Sequence, residues 1–182
     1  MKPKATTLQE RMGFNDPDIK SPIHDEMVIW LMKNSASVAS YILGKARFSS
    51  DSLDSRCVSM AESMDQTIYD PAPIVETEKP VMSREFIIGF IDLCLTSRFG
   101  CVRIDEKTGE IYWKFGYRGP RVNIEVKPKI ESFGETMRQI NMYREYDRDA
   151  KYAIFTPDHR FKEAFESQGI KVFKSTDVPI IG

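Results

Sequence analysis

The chain has 182 residues, of which 41% are hydrophobic and 29% charged, and its 26 Lys and Arg against 27 Asp and Glu leave a formal net charge of −1. That length supports one sizeable core rather than two ordinary domains, and the composition argues against a disordered chain. No apolar run approaches the roughly 20 residues that span a bilayer, and Cys57, Cys94 and Cys101 lack C-x-x-C spacing, so neither a membrane helix, a disulfide framework nor a cysteine metal site is expected.

Residues 1 to 20 are polar and carry Pro3, Gly13 and Pro17, the composition of a flexible arm. Met1 to Thr7 has a basic start with no apolar core after it, so no secretory signal is expected and the expected location is the cytoplasm. Ser21 can cap a helix with Pro22 at its first position, and Ile23, Met27, Trp30 and Leu31 share one face, which predicts a helix over 22–33. Two further helical patterns follow within 35–70, one through Val38, Tyr41 and Ile42, the other through Leu53, Cys57, Met60, Met64 and Ile68. Asp70-Pro-Ala-Pro73 ends this segment, because proline removes an amide donor and restricts its predecessor.

The period then changes from helical to two. A short run at 74–77 and a strand at 84–96 precede a hairpin of 101–105 and 110–117 around Glu106-Lys-Thr-Gly-Glu110, and Arg118-Gly-Pro120 leads into a strand at 121–127. A helix at 131–147, a strand at 152–156, a helix at 158–167 and a strand at 170–173 complete the pattern; the crossover helix makes the last two strands parallel. The expected fold is α/β with a mixed sheet, in which 74–173 form the core and 21–70 an amino-terminal helical segment.

Alternation along a strand puts Glu125 and Lys127 on one face and Val126 on the other. A carboxylate, a backbone carbonyl at Val126 and an ammonium then share one place, which suits a hard cation and a phosphate; taken alone, a strand-borne Glu-x-Lys is usually a surface ion pair. Asp92 stands within Phe86-Ile-Ile-Gly-Phe-Ile-Asp-Leu-Cys-Leu95, where an unpaired carboxylate is costly to bury. Gly89 lets backbone or substrate approach, or marks a bulge. Gln139 and Tyr143 lie four apart on one helix face and can reach a common groove.

These segments resemble the PD-(D/E)XK nuclease superfamily, and within it the RecB-like group with G-x-x-D, E-x-K and Q-x-x-x-Y motifs, here Gly89-Phe-Ile-Asp92, Glu125-Val-Lys127 and Gln139-Ile-Asn-Met-Tyr143. The resemblance covers about residues 84–156. It implies a restriction-endonuclease-like core in which Asp92, Glu125 and the Val126 carbonyl hold Mg2+ or Mn2+, Lys127 acts on the attacking water or the phosphate, and Gln139 and Tyr143 line the substrate groove. The family adds a ligand from a helix before the sheet: Glu26 is the first candidate, followed by His24 and Asp25, with Glu62 a further one.

The spacing from Asp92 to Glu125 is longer than the compact family pattern. Assigned to the hairpin, the excess places it at the groove edge, where Lys114, Arg118 and Arg121 would meet DNA. The short chain is similar to archaeal Holliday junction resolvases and to nucleases of archaeal viruses, which implies a homodimer acting in replication, recombination or repair, on branched DNA among other forms. The competing reading is a non-catalytic nucleic-acid-binding or assembly protein on the same fold; a third is RNA processing.

Overall fold

The computed structural model describes residues 22–43, 73–104, 107–108 and 111–180. The expected arm, the cap at Ser21, the helix through Leu53 to Ile68 and Glu62 lie outside them. Helix α1 spans Pro22–Lys33 and helix α2 Ser35–Leu43. Strands β1 (Ile74–Ser83), β2 (Phe86–Ile104) and β3 (Ile111–Val126) form an antiparallel meander. Helix α3 (Phe133–Tyr146) then carries the chain to β4 (Ala150–Phe155), parallel to β3, and the short helix α4 (Lys162–Glu166) carries it to β5 (Ile170–Phe173), parallel to β4. A 3-10 turn follows at Ser175–Asp177. The sheet order is β1-β2-β3-β4-β5. No helix among the described residues is long and apolar enough to cross a membrane.

The fold is therefore α/β, a five-stranded mixed sheet with helices on both faces. Leu31, Val38 and Ala39 from α1 and α2 pack on Leu93, Leu95, Val122, Ile124, Val126, Ala153 and Phe155. On the opposite face Ile140 and Tyr143 of α3 and Phe165 of α4 pack on Ile91, Tyr152, Ile154, Ile170 and Val172. Residues 152–155 alternate between these two cores, as strand geometry requires.

Four boundaries differ from the sequence reading. The run expected at 74–77 continues to Ser83, because Pro80 lies on an edge strand, where no ladder donor is needed. The strands expected at 110–117 and 121–127 are one: Gly119-Pro120 face Ser97 across a register shift, and a bulge accommodates the proline without ending the strand. The hairpin is thus no insertion with strands of its own but the far half of β2 and β3. The helix expected at 158–167 shrinks to Lys162–Glu166, since the Asp158 carboxylate takes the Arg160 backbone N–H and guanidinium and the Ile130 N–H, a local turn that competes with helix.

The fourth difference lies at Asp92. Ile91 and Leu93 stand two apart yet belong to opposite cores, so β2 rotates about Asp92. Its neighbour β1 bends at the same level: Glu78, which falls between the pairs Thr77↔Leu93 and Lys79↔Ile91 and so faces Asp92, has φ 48°. A left-handed glutamate is held against its preference, and such strain collects at functional positions.

Candidate active site

The ladder joining β2 to β3 starts at Leu93↔Ile124. One step further the strands part, and there the Asp92 Oδ2 accepts the Val126 N–H at 2.7 Å, a side chain taking the place of a ladder carbonyl. Helix α1 lays His24 over the same carboxylate, with Nε2 3.4 Å from Oδ1. Both groups are buried. Burial alone would lower the His24 pKa, but the hydrogen bond and charge of Asp92, with a smaller contribution from Asp25 at 3.6 Å, outweigh it and raise the value.

The sequence put Glu26 first as the ligand from this helix, and the structure turns it outward. Residues two apart on a helix are about 200° apart around its axis, so with His24 buried against Asp92, Glu26 is exposed, as is Asp25.

Glu125 on β3 is 2% exposed, and Lys127, one residue past the end of that strand, is buried as well. Glu125 pairs in register with Ile154, which faces α3, and α3 supplies its partner: Gln139 Nε2 donates to Glu125 Oε2 at 3.2 Å and to the Tyr143 hydroxyl at 3.1 Å. Tyr143 in turn donates to the Phe90 carbonyl at 3.0 Å. Burial first, then the Glu125 charge, push the Tyr143 phenol up, so it stays a neutral donor. Helix α3 is set for this by Ser132, whose hydroxyl accepts the Glu135 N–H as an N-cap.

Tyr143 consequently does not line a groove, as the sequence reading had it. At 4% exposure it is a strut between α3 and the strand that carries Asp92, and half-buried Gln139 orients the Glu125 carboxylate. Gly89 has its reason here, since a Cβ at that position would stand 2.6 Å from both Cε1 and the hydroxyl of Tyr143.

Arg121 is also reassigned. Its Nη2 lies 2.6 Å from Asp147 Oδ1, and Lys79 Nζ and Asn123 Nδ2 each donate to Asp147 Oδ2 at 3.1 Å. Along β3 the cluster's Asn123 stands two residues from Glu125, roughly 7 Å away, and its Arg121 four, roughly 13 Å; the cluster ties the end of α3 to β1 and β3. Lys79 and Asp147 escaped the sequence reading. The available signal was an aspartate at a helix C-terminus, where the macrodipole disfavours it unless a cation is close.

No family model, curated protein or solved structure matches the chain. The assignment of the site therefore stands on its residues.

Two carboxylates and an imidazole, all buried, are donor types that suit a divalent cation of the Mg2+ or Mn2+ kind. Among the described residues no three His, Cys, Asp or Glu side chains are gathered closely enough to hold a metal ion together. Asp92 is held by α1 and the Val126 amide, while Glu125 is held separately by α3.

Asp147 carries the first expected result. Asn123, Lys79 and Arg121 together outweigh its burial and lower its pKa. A carboxyl with a depressed folded-state pKa adds stability above its unfolded value of about 3.9, and that stability is lost as pH falls through the folded value. Asp147→Asn should cost about 3 kcal/mol at pH 7, as expected when one partner of a largely buried pair is removed, and should flatten the acid limb below about pH 4. Urea unfolding of both proteins between pH 7 and pH 2.5 checks this; parallel pH profiles would show that the cluster is not what titrates.

Proposed function

We propose that the chain is a metal-dependent nuclease of the PD-(D/E)XK superfamily with a RecB-like, restriction-endonuclease-like core, hydrolysing DNA phosphodiester bonds. The observation that carries this reading is the buried His24–Asp92 pair at the point where β2 leaves β3, one strand from buried Glu125 and Lys127. His24 and Asp92 would need only each other as a structural pair, yet Asp92 is tied through the Val126 N–H to the stretch between buried Glu125 and buried Lys127, and a protein that only bound phosphate would gain nothing from the carboxylates.

In this reading His24, Asp92 and Glu125, with the Val126 carbonyl, hold Mg2+ or Mn2+. The bound cation supplies polarisation of the phosphate, a lowered pKa for water and charge stabilisation at the leaving oxygen. The remaining work falls to the protein. Lys127 places its ammonium where negative charge builds on the phosphate and can orient the attacking water. Gln139 keeps Glu125 from rotating away, Tyr143 fixes Gln139, and Val126 N–H fixes Asp92.

The test is incubation with labelled single-stranded, duplex and four-way-branched DNA, with Mg2+, Mn2+ or chelator. Cleavage in metal and none in chelator is expected. His24→Ala should lower the rate by about 10- to 100-fold or more, as losses at metal ligands and their supports do, whereas Glu26→Gln should leave it unchanged. A protein that binds these DNAs but cuts none under any metal is a non-catalytic binding protein, and the nuclease reading fails.

A further inference from the structure

Among the described residues, 98–104 of β2 and 111–118 of β3 pair with each other alone, since β1 leaves β2 at Thr96 and β4 joins β3 only from Arg121. The sheet therefore ends in a two-stranded ribbon pointing away from the carboxylates. At about 3.3 Å per residue its root at Arg98 lies roughly 20 Å along the strand from Asp92 and its outer end at Ile104 roughly 40 Å. At that distance the outer half of the ribbon lies beyond the reacting phosphate itself, which calls for a role of its own.

Composition gives one. The chain as a whole is nearly neutral, yet the two ribbon segments hold Arg98, Arg103, Lys114 and Arg118 together with Phe99, Tyr112, Trp113, Phe115 and Tyr117, and the acids Asp105, Glu106 and Glu110 are confined to the connection between them, which leaves 98–118 with a net charge of +2. The register sets Arg98 directly opposite Arg118. Like charges set opposite each other across an antiparallel pair disfavour it, and a bound anion would relieve that penalty. Two register irregularities, at Gly119-Pro120 and at Gly116, increase the local right-handed twist of the ribbon.

We infer that the ribbon is a DNA-binding arm that lies in the major groove of duplex flanking the cleavage position, which would make double-stranded DNA the substrate class. This rests on the nuclease reading for what lies at the other end of the strands. The major groove of B-DNA is about 12 Å wide and admits a two-stranded β-ribbon, whereas the narrow major groove of A-form RNA does not. A reach of roughly 20 to 40 Å is about half to one turn of duplex, so contacts fall about 6 to 12 base pairs from the scissile phosphate.

Fluorescence anisotropy in chelator, where nothing is cut, separates this from catalysis. Labelled 30-base-pair DNA, 30-base-pair RNA duplex and single-stranded DNA are titrated across a salt series with the wild type, Arg98→Ser/Arg118→Ser and Lys114→Ser. The double variant should lose about tenfold or more in duplex-DNA affinity at low salt and flatten log Kd against log salt by about two phosphate contacts, roughly 1.8 in slope. Single-stranded binding should stay within about twofold, and Arg98→Lys/Arg118→Lys should restore most of the slope. Removing a like-charge pair should not lower Tm, and Lys114→Ser should lose about one contact, so a folding defect is told apart from lost binding.

Equal losses on duplex and single strand, equal binding of duplex RNA and DNA, or an unchanged slope would each overturn the arm. The two readings fail separately. Wild-type protein that cuts nothing but shows the ribbon-dependent slope loses the nuclease and keeps the arm; metal-dependent cutting with an unchanged slope does the reverse.

Discussion

Lys127→Met and Asp92→Asn should each lower DNA cleavage by about 1,000-fold, the scale on which single preorganised charges act on a developing anion, and the two should differ in everything else. Lys127 is buried, and methionine keeps its aliphatic stem in place while removing the ammonium. Metal-free DNA binding should weaken with the lost positive charge. Asparagine at 92 can still accept the Val126 N–H but no longer offers a full negative charge to His24. That loss should cost about 2 kcal/mol, since a hydrogen bond to a charged group is weakened within a buried pair. With one carboxylate fewer near the phosphate, binding of uncut DNA in chelator should tighten. Cleavage rates in Mg2+, anisotropy in chelator and urea unfolding give the three readouts. If both variants cut within tenfold of the wild type, the carboxylates and lysine do not form the reacting centre; if activity tracks stability alone, their role is structural.

The site was legible in the sequence to the extent that its chemistry is periodic. A carboxylate in an apolar run, Glu and Lys two apart on a strand, and Gln and Tyr four apart on a helix are all patterns that backbone geometry turns into shared faces. Gln139, Tyr143 and Glu125 do meet, as that geometry required. What spacing could not give is which side of a contact faces solvent. Tyr143 turns into the core because the Phe90 carbonyl at the rotating stretch of β2 needs a donor, and that rotation has no periodic signal.

The choice between His24 and Glu26 was open for a related reason. Both stand at the start of α1, about 200° apart, and only the packing of Leu31 against Leu93 and Ile124 fixes which one meets Asp92. The Lys79–Asp147–Arg121 cluster joins residues 68 and 26 positions apart, distances at which a single sequence carries no pairing information. Likewise Gly119-Pro120 reads as a break by local preference, and the opposite strand's single residue at Ser97 converts it to a bulge.

Gly89→Ala should destabilise the protein by about 3 kcal/mol, the upper range for forcing one extra group into a packed interior, although this glycine has no positive φ that an alanine would resist. The obstacle is space. Its new Cβ would meet the Tyr143 ring at 2.6 Å, and that ring cannot swing aside. Ile91, Ile140 and Ile154 surround it, its hydroxyl is held by the Phe90 carbonyl and by Gln139, and Gln139 is held by Glu125. Either β2 moves, taking Asp92 three residues on with it, or the tyrosine moves and releases Gln139 from Glu125; both routes disturb the carboxylates, so cleavage should fall along with stability. A double-mutant cycle isolates the contact. Tyr143→Ala alone should cost about 4 kcal/mol as a large-to-small change in a core, and adding Gly89→Ala to it should cost less than about 1 kcal/mol more, because the methyl then enters the space that the ring vacates. The expected coupling is about 2 kcal/mol in favour of the double variant. Urea unfolding of the four proteins measures it, and additive single costs would mean that Gly89 is required for some reason other than the closeness of Tyr143.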